Sequence, residues 1–191
     1  MVNKLPGIYP PNSLDELGYY FIFVWSEKSE KDGAFMALGQ DLQTEKISHL
    51  DLSDFALVRS QSTLAEALEA MRREPTSCVL VEDGRGKLAG IFTERDVLVK
   101  VVDAPSLWGL PVDGFMTVEP ETVLPDDPVE KALRMMNAGH YRHVPVLDEE
   151  GKIVGTVTHN VLIRFLTDRF PREIYNLPPD PELIPKTREG A

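Results

Sequence analysis

VLVEDGRGKLAGIFTERD, residues 79–96, and VPVLDEEGKIVGTVTHNV, residues 144–161, decide the fold. They lie 65 positions apart and align without a gap. Val79, Val81, Asp83, Gly86, Lys87, Gly90 and Thr93 fall on Val144, Val146, Asp148, Gly151, Lys152, Gly155 and Thr158. Outward from these stretches the register holds over 58–101 and 123–166, with 11 of 44 positions identical. Ala67-Leu68 matches Ala132-Leu133, and Met71 matches Met136. A repeat that keeps turns, caps and periodicity in one register is a supersecondary unit used twice.

Each copy reads β-α-β-β-α. A short strand (about 56–59 and 121–124) leads into a helix whose apolar residues recur at helical spacing. In the second copy Asp127 is the expected N-cap, Pro128 suits the first helical position, Glu130 suits a capping box and Gly139 is the expected stop. A hairpin follows in each: SCVLVE, DGRG, KLAGIF in the first, and HVPVLD, EEG, KIVGTV in the second. A second helix starts at Thr93 or Thr158. Two helices cannot cover both faces of so small a sheet, so the copies are expected to pack sheet against sheet. The fold class is α+β.

The chain has 191 residues, 42% of them hydrophobic, enough for a sizeable core. Lys and Arg total 20 against 31 Asp and Glu, a net charge of −11 that disfavours nucleic-acid and anionic-membrane partners. A single cysteine, Cys78, excludes an internal disulfide and a cysteine-based zinc cage. The longest apolar run, 19–25, is far short of a membrane span, and MVNKLPGIYPPN lacks a signal peptide's apolar core. A cytoplasmic, reducing location is the expectation.

GIFTERD at 90–96, FMTVEPETVLPDDPVEKALRMM at 115–136 and YRHVPVLDEEGKIVG at 141–155 resemble a tandem pair of cystathionine-beta-synthase (CBS) domains, a Bateman module. The likeness covers roughly residues 50–170. It implies an N-terminal extension over 1–50, CBS domains over 51–106 and 107–170, and a Pro-rich tail over 171–191. It also implies a regulatory sensor, not an enzyme, that binds an adenosyl ligand between the domains and pairs into a homodimeric four-domain disc.

Thr93 and Asp96 have two readings. One is a capping box, with Asp96 at N3. The other is a ligand group: the carboxylate accepts from two ribose hydroxyls while the threonine faces a phosphate, the role the resemblance assigns. Thr158-His159-Asn160-Val161 builds the same helix start without the acid, so the fold tolerates its loss. Valine offers no acceptor, and one nucleotide per chain is expected. The resemblance carries Arg142 and His143 to the phosphates of the Asp96 site, with Asn160 a further polar contact. It sets Ile91 and Pro120-Glu121-Thr122 around the base. Core packing for Ile91 and a solvated strand end for the basic pair are the plain alternatives.

GRGK at 84–87 lacks the spacing of a phosphate loop. The histidines lie on separate elements without clustered carboxylates or thiolates, and no metal or cofactor is expected. Cys78 reads as a small core residue. No local motif supports a nucleophilic triad. Residues 19–25 read as a strand, 26–33 as a polar turn and 34–39 as a return strand. The favoured function is an adenine-nucleotide sensor (AMP, ADP or ATP) that signals to a separate regulated protein. The alternatives are a ligand-free docking scaffold, or a module for S-adenosylmethionine or NAD(H).

Overall fold

The computed structural model describes residues 40–74 and 76–169. The expected N-terminal hairpin and the Pro-rich tail lie outside those residues. Residues 41–162 form one compact unit, which contains both repeats up to the start of the last helix.

The first repeat runs β1 (Ala56–Arg59), α1 (Leu64–Arg73), β2 (Cys78–Glu82) and β3 (Leu88–Thr93). Next comes a short helix α2 (Glu94–Asp96) that widens into a π-helical turn over Val97–Val101. β1 pairs parallel with β2, β2 antiparallel with β3, and β3 with β4 (Thr117–Val118) at the edge. The second repeat gives α3 (Val129–Gly139), β5 (His143–Leu147), β6 (Ile153–Thr158) and α4 (His159–Arg169). Its first strand shrinks to one parallel bridge, Val123 to Val146, the counterpart of Val58 beside Val81.

The hairpins are copies down to single bonds. Asp83 N–H donates to Lys87 O at 2.7 Å, and Asp148 N–H to Lys152 O at 3.0 Å. Gly86 and Gly151 turn each hairpin at φ +78° and +81°, where a side chain would be strained. Strand alternation then sorts the side chains. Val79, Val81 and Phe92 face α1 and join Leu64, Ala67, Met71 and Val101 in the main core. Cys78, Leu80 and Ile91 face the other way and pack with Ile153 from β6, so the sheets do face each other.

The repeats interlock through the segments that lead into them. Ile47 N–H donates to Asp127 O and Val129 N–H to Glu45 O; 65 residues on, Val112 N–H donates to Ser62 O and Leu64 N–H to Leu110 O. Each lead-in crosses to the other repeat. Thr117 lies on β3 beside Ile91, and Leu52 accepts a bond from Thr156 of β6. Gly90 and Gly155 are where these crossings touch. A Cβ on Gly155 would land on the Leu52 carbonyl and 2.6 Å from its Cβ, and one on Gly90 would lie 2.7 Å from Thr117 O.

Capping in the second repeat departs from expectation. Asp127 accepts from Leu124 N–H and from Lys131 Nζ, both at 2.7 Å, so it holds the preceding turn while Pro128 is the N-cap. With Pro128 as N-cap, Glu130 stands at N2 rather than at the N3 position of a capping box, and it pairs with Arg134 four residues on, at 2.9 Å. The helix includes Gly139 and ends with His140 in the left-handed region at φ +52°. The Tyr141 ring occupies the space a Gly139 Cβ would need, which explains the glycine without a left-handed turn.

Candidate functional site

β3 ends at Thr93, paired across the hairpin with Cys78, and the chain turns there into α2. Asp96 reaches back: its Oδ2 accepts from Thr93 N–H at 3.0 Å and from Thr93 Oγ at 2.8 Å. Lys100 Nζ donates to Asp96 Oδ1 at 2.7 Å and also to the Phe115 carbonyl at 2.7 Å. The Asp96 side chain is 13% exposed. Thr93 and Asp96 therefore make the expected cap, and the same acid remains at the protein surface.

The twin position differs in chemistry and agrees in backbone. Glu94 N–H donates to Ser77 O at 3.1 Å, and His159 N–H donates to Arg142 O at 2.9 Å. Where Asp96 stands in the first copy, Val161 is buried, and its N–H donates to Thr158 Oγ1 at 3.3 Å. The threonine hydroxyl caps this helix start without an acid, so the local fold closes in its absence.

The second repeat brings its basic segment to the first. His143 opens β5, and its Nε2 shares a 2.6 Å hydrogen bond with Ser77 Oγ. Ser77 adjoins Cys78, the partner of Thr93, so His143 stands beside the Thr93 turn. Burial pushes the His143 imidazole down to about 4; Asp54 opposes that, while Arg142 and His159 reinforce it. At neutral pH His143 is thus uncharged, with one ring N–H to give. Arg142, its neighbour, is exposed. Arg95 of α2 donates to His140 O at 3.3 Å, a second tie between the repeats.

On the other flank, Tyr141 OH donates to the Glu121 carboxylate. Burial, then that bond to the anion, pushes the phenol up, so it stays protonated and donating. Glu119 (φ +47°) and His140 (φ +52°) are two of three non-glycine residues in the left-handed region among the described residues. They adjoin this pair, in the segments carrying Glu121 and Arg142. Backbone strain of that kind is stored where the surrounding structure over-determines it, often at functional positions.

Thr93 and Asp96 are thus brought together, His143 is tied to Ser77, whose carbonyl takes Glu94 N–H next to Thr93, and Glu121 is fixed by Tyr141. Ile91 is buried in the Cys78–Leu80 cluster. Thr122 is half-buried beside the Val123 bridge, and Asn160 is exposed on the first turn of α4. No side-chain hydrogen bond joins Thr122 or Asn160 to Thr93, Asp96 or His143 among the described residues. Sequence reasoning passed over Lys100, Ser77, Tyr141 and Asp54. Only Lys100 carried a readable signal, its i+4 spacing from Asp96.

Cys78 is buried, and burial raises its thiol to about 12, out of reach of redox or nucleophilic chemistry at neutral pH. No group of three His, Cys, Asp or Glu is placed to hold a metal among the described residues. None of their helices is long and apolar enough to cross a membrane.

The sequence profile described as CBS domain matches residues 47–103 and 112–168. An uncharacterized 17.7 kDa protein of Acidianus ambivalens is 32% identical over 123 residues, 64% of this chain and 74% of that one. A CBS domain-containing protein of Arabidopsis thaliana is 38% identical over 104 residues, 52% of this chain but 18% of its own length. Among solved structures, a CBS domain protein from Pyrobaculum aerophilum complexed with AMP matches with TM-score 0.57 and 26% identity, covering 69% of this chain and 95% of that one.

Proposed function

The chain belongs to the CBS domain family, and on that premise we propose that it is a regulatory module binding one adenine nucleotide (AMP, ADP or ATP) between its repeats. Asp96 accepts the ribose hydroxyls and Thr93 faces the phosphate. Arg142 supplies the cationic grip, and neutral His143 adds one hydrogen bond. Ile91 and Pro120-Glu121-Thr122 flank the base, and Asn160 is an outer polar contact. The observation that carries this reading is the asymmetry: the Asp96 carboxylate on Thr93 in one repeat, and Thr158-Val161 with its acceptor replaced by a buried methyl pair in the other. The AMP-bound relative from Pyrobaculum aerophilum supports the ligand class.

Leu98, Val99 and Val102 leave an apolar face exposed beyond Asp96, by 69%, 77% and 47%. In this reading that face pairs two copies into a homodimer, and occupancy of the cleft shifts how the dimer engages a separate cytoplasmic partner. Such a shift requires the partner to distinguish free from liganded protein.

Calorimetric titration with AMP, ADP, ATP, NADH, S-adenosylmethionine and GTP tests the reading. One adenosyl ligand is expected to bind at one per chain. Asp96→Ala should weaken it tenfold or more, since bonds to a charged group contribute about 1.5–3 kcal/mol. Two equal sites per chain, or unchanged affinity in Asp96→Ala, would remove Asp96 from the role. The scaffold reading rests on the same Asp96 bonds taken purely as a cap. It expects Asp96→Ala to cost roughly 1 kcal/mol of stability with no nucleotide response to lose.

A further inference from the structure

A carboxylate clamps a ribose through two hydroxyls only if it has two acceptor directions to offer. Each oxygen has two lone pairs. On Asp96, Oδ2 already takes two donors, the N–H and hydroxyl of Thr93. Oδ1 takes the Lys100 ammonium at 2.7 Å, which leaves one direction open. With Lys100 in place Asp96 can therefore read a single hydroxyl. A second can be accepted only if the lysine leaves.

Lys100 is more than a helix-surface partner. Its Nζ is held by a second 2.7 Å bond, to the Phe115 carbonyl in the segment leading into the other repeat. The turn between the acid and the lysine is wound as a π-helix, closed by Val102 N–H to Val97 O at 2.8 Å. Single π-turns of this kind recur at functional positions. The Lys100 side chain is 41% exposed, so water can receive the ammonium when it is displaced.

We propose that Lys100 is a specificity-determining residue, a resident counter-ion on Asp96 that competes with one ribose hydroxyl. The proposal rests on the adenosyl reading above and deepens it. A nucleotide carrying both hydroxyls either leaves one unread or evicts the lysine. A deoxy analogue gives up one bond and lets the lysine stay. Both routes mute discrimination between the two ligands in the native protein.

The experiment compares wild type, Lys100→Met and Lys100→Gln as full chains, titrated with AMP and ATP and with their 2′-deoxy and 3′-deoxy counterparts. Melting curves first establish that the variants are folded, as a half-exposed side chain predicts. In wild type at least one deoxy analogue should bind within about threefold of its parent. In both variants the parent should bind tighter and both analogues should fall behind by about tenfold or more, the loss of a hydrogen bond to a charged acceptor. Equal parent-to-deoxy ratios in wild type and variants would overturn the role of Lys100. If Asp96→Ala still abolished binding, the nucleotide reading would survive that result. Absence of AMP and ATP binding to every protein would overturn both.

Discussion

Gly155→Ala is the perturbation that most directly tests how the two repeats are held together. The added methyl would land on the Leu52 carbonyl oxygen, 2.6 Å from its Cβ and 3.1 Å from its carbonyl carbon. Carbon atoms pack best at about 3.5–4.0 Å, so the lead-in must retreat by roughly an ångström. The carbonyl atoms are backbone and the Cβ is fixed by it, so no rotamer change relieves them. Retreat also breaks the 3.0 Å bond from Thr156 N–H to Leu52 O. Overpacking of this sort costs about 1–3 kcal/mol, and a lost backbone bond about 0.5–1.5 kcal/mol. A total of about 1.5–4.5 kcal/mol follows. For a chain of this size each kcal/mol lowers the melting temperature by about 2–4 °C, so a fall of about 3–18 °C is expected by calorimetry or circular dichroism. Gly109→Ala is the control, since nothing lies within 4 Å of its Cβ and it should melt with wild type. Should Gly155→Ala also melt with wild type, the crossing of Leu52 onto β6 is not a structural tie.

His143 gives a pH signature. Its folded value of about 4 lies below the ordinary 6.5 of a histidine, so the unfolded chain binds the extra proton between them. Its contribution is complete above pH 6.5 and is lost as the pH falls toward 4, by about 2 kcal/mol between pH 7 and 5. His143→Asn should flatten that part of the acid slope in thermal melts, and identical slopes would refute the buried neutral imidazole. Cys78, with its thiol raised to about 12, should resist Ellman's reagent in the folded protein and react fully in denaturant. Full labelling of the native protein within minutes would contradict the packing around β2. Asp96→Ala, beyond its effect on nucleotide, removes both bonds to Thr93 and the Lys100 pair. It should lower the stability of the ligand-free protein by about 1 kcal/mol, measured by urea melts; an unchanged midpoint would refute the Asp96 cap.

Much of this protein was legible in its residues because the same local rules are written twice. Asp-x-x-Gly-Lys specifies both hairpins through bonds spanning four residues, and the 2.0 and 3.6 periodicities set which faces of β2, β3 and α1 are buried. The Thr93-Asp96 cap and the missing acid at Val161 were likewise readable, since a cap is settled within one helical turn. Contacts over longer spans were not. The crossing of each lead-in onto the opposite repeat depends on a pseudo-twofold arrangement of two sheets, and no local pattern encodes Leu52 against Gly155. Nor did any motif bring Ser77 to His143, since 66 residues separate two side chains whose bond exists only after the sheets face each other. Asp127 shows the converse: its residue type suited an N-cap, but the bond to Leu124 N–H drew it to the preceding turn. The residues alone determined the unit, its duplication and the odd acid. Tertiary structure decided which groups surround that acid, because burial and proximity, unlike turns and caps, are properties of the assembled pair.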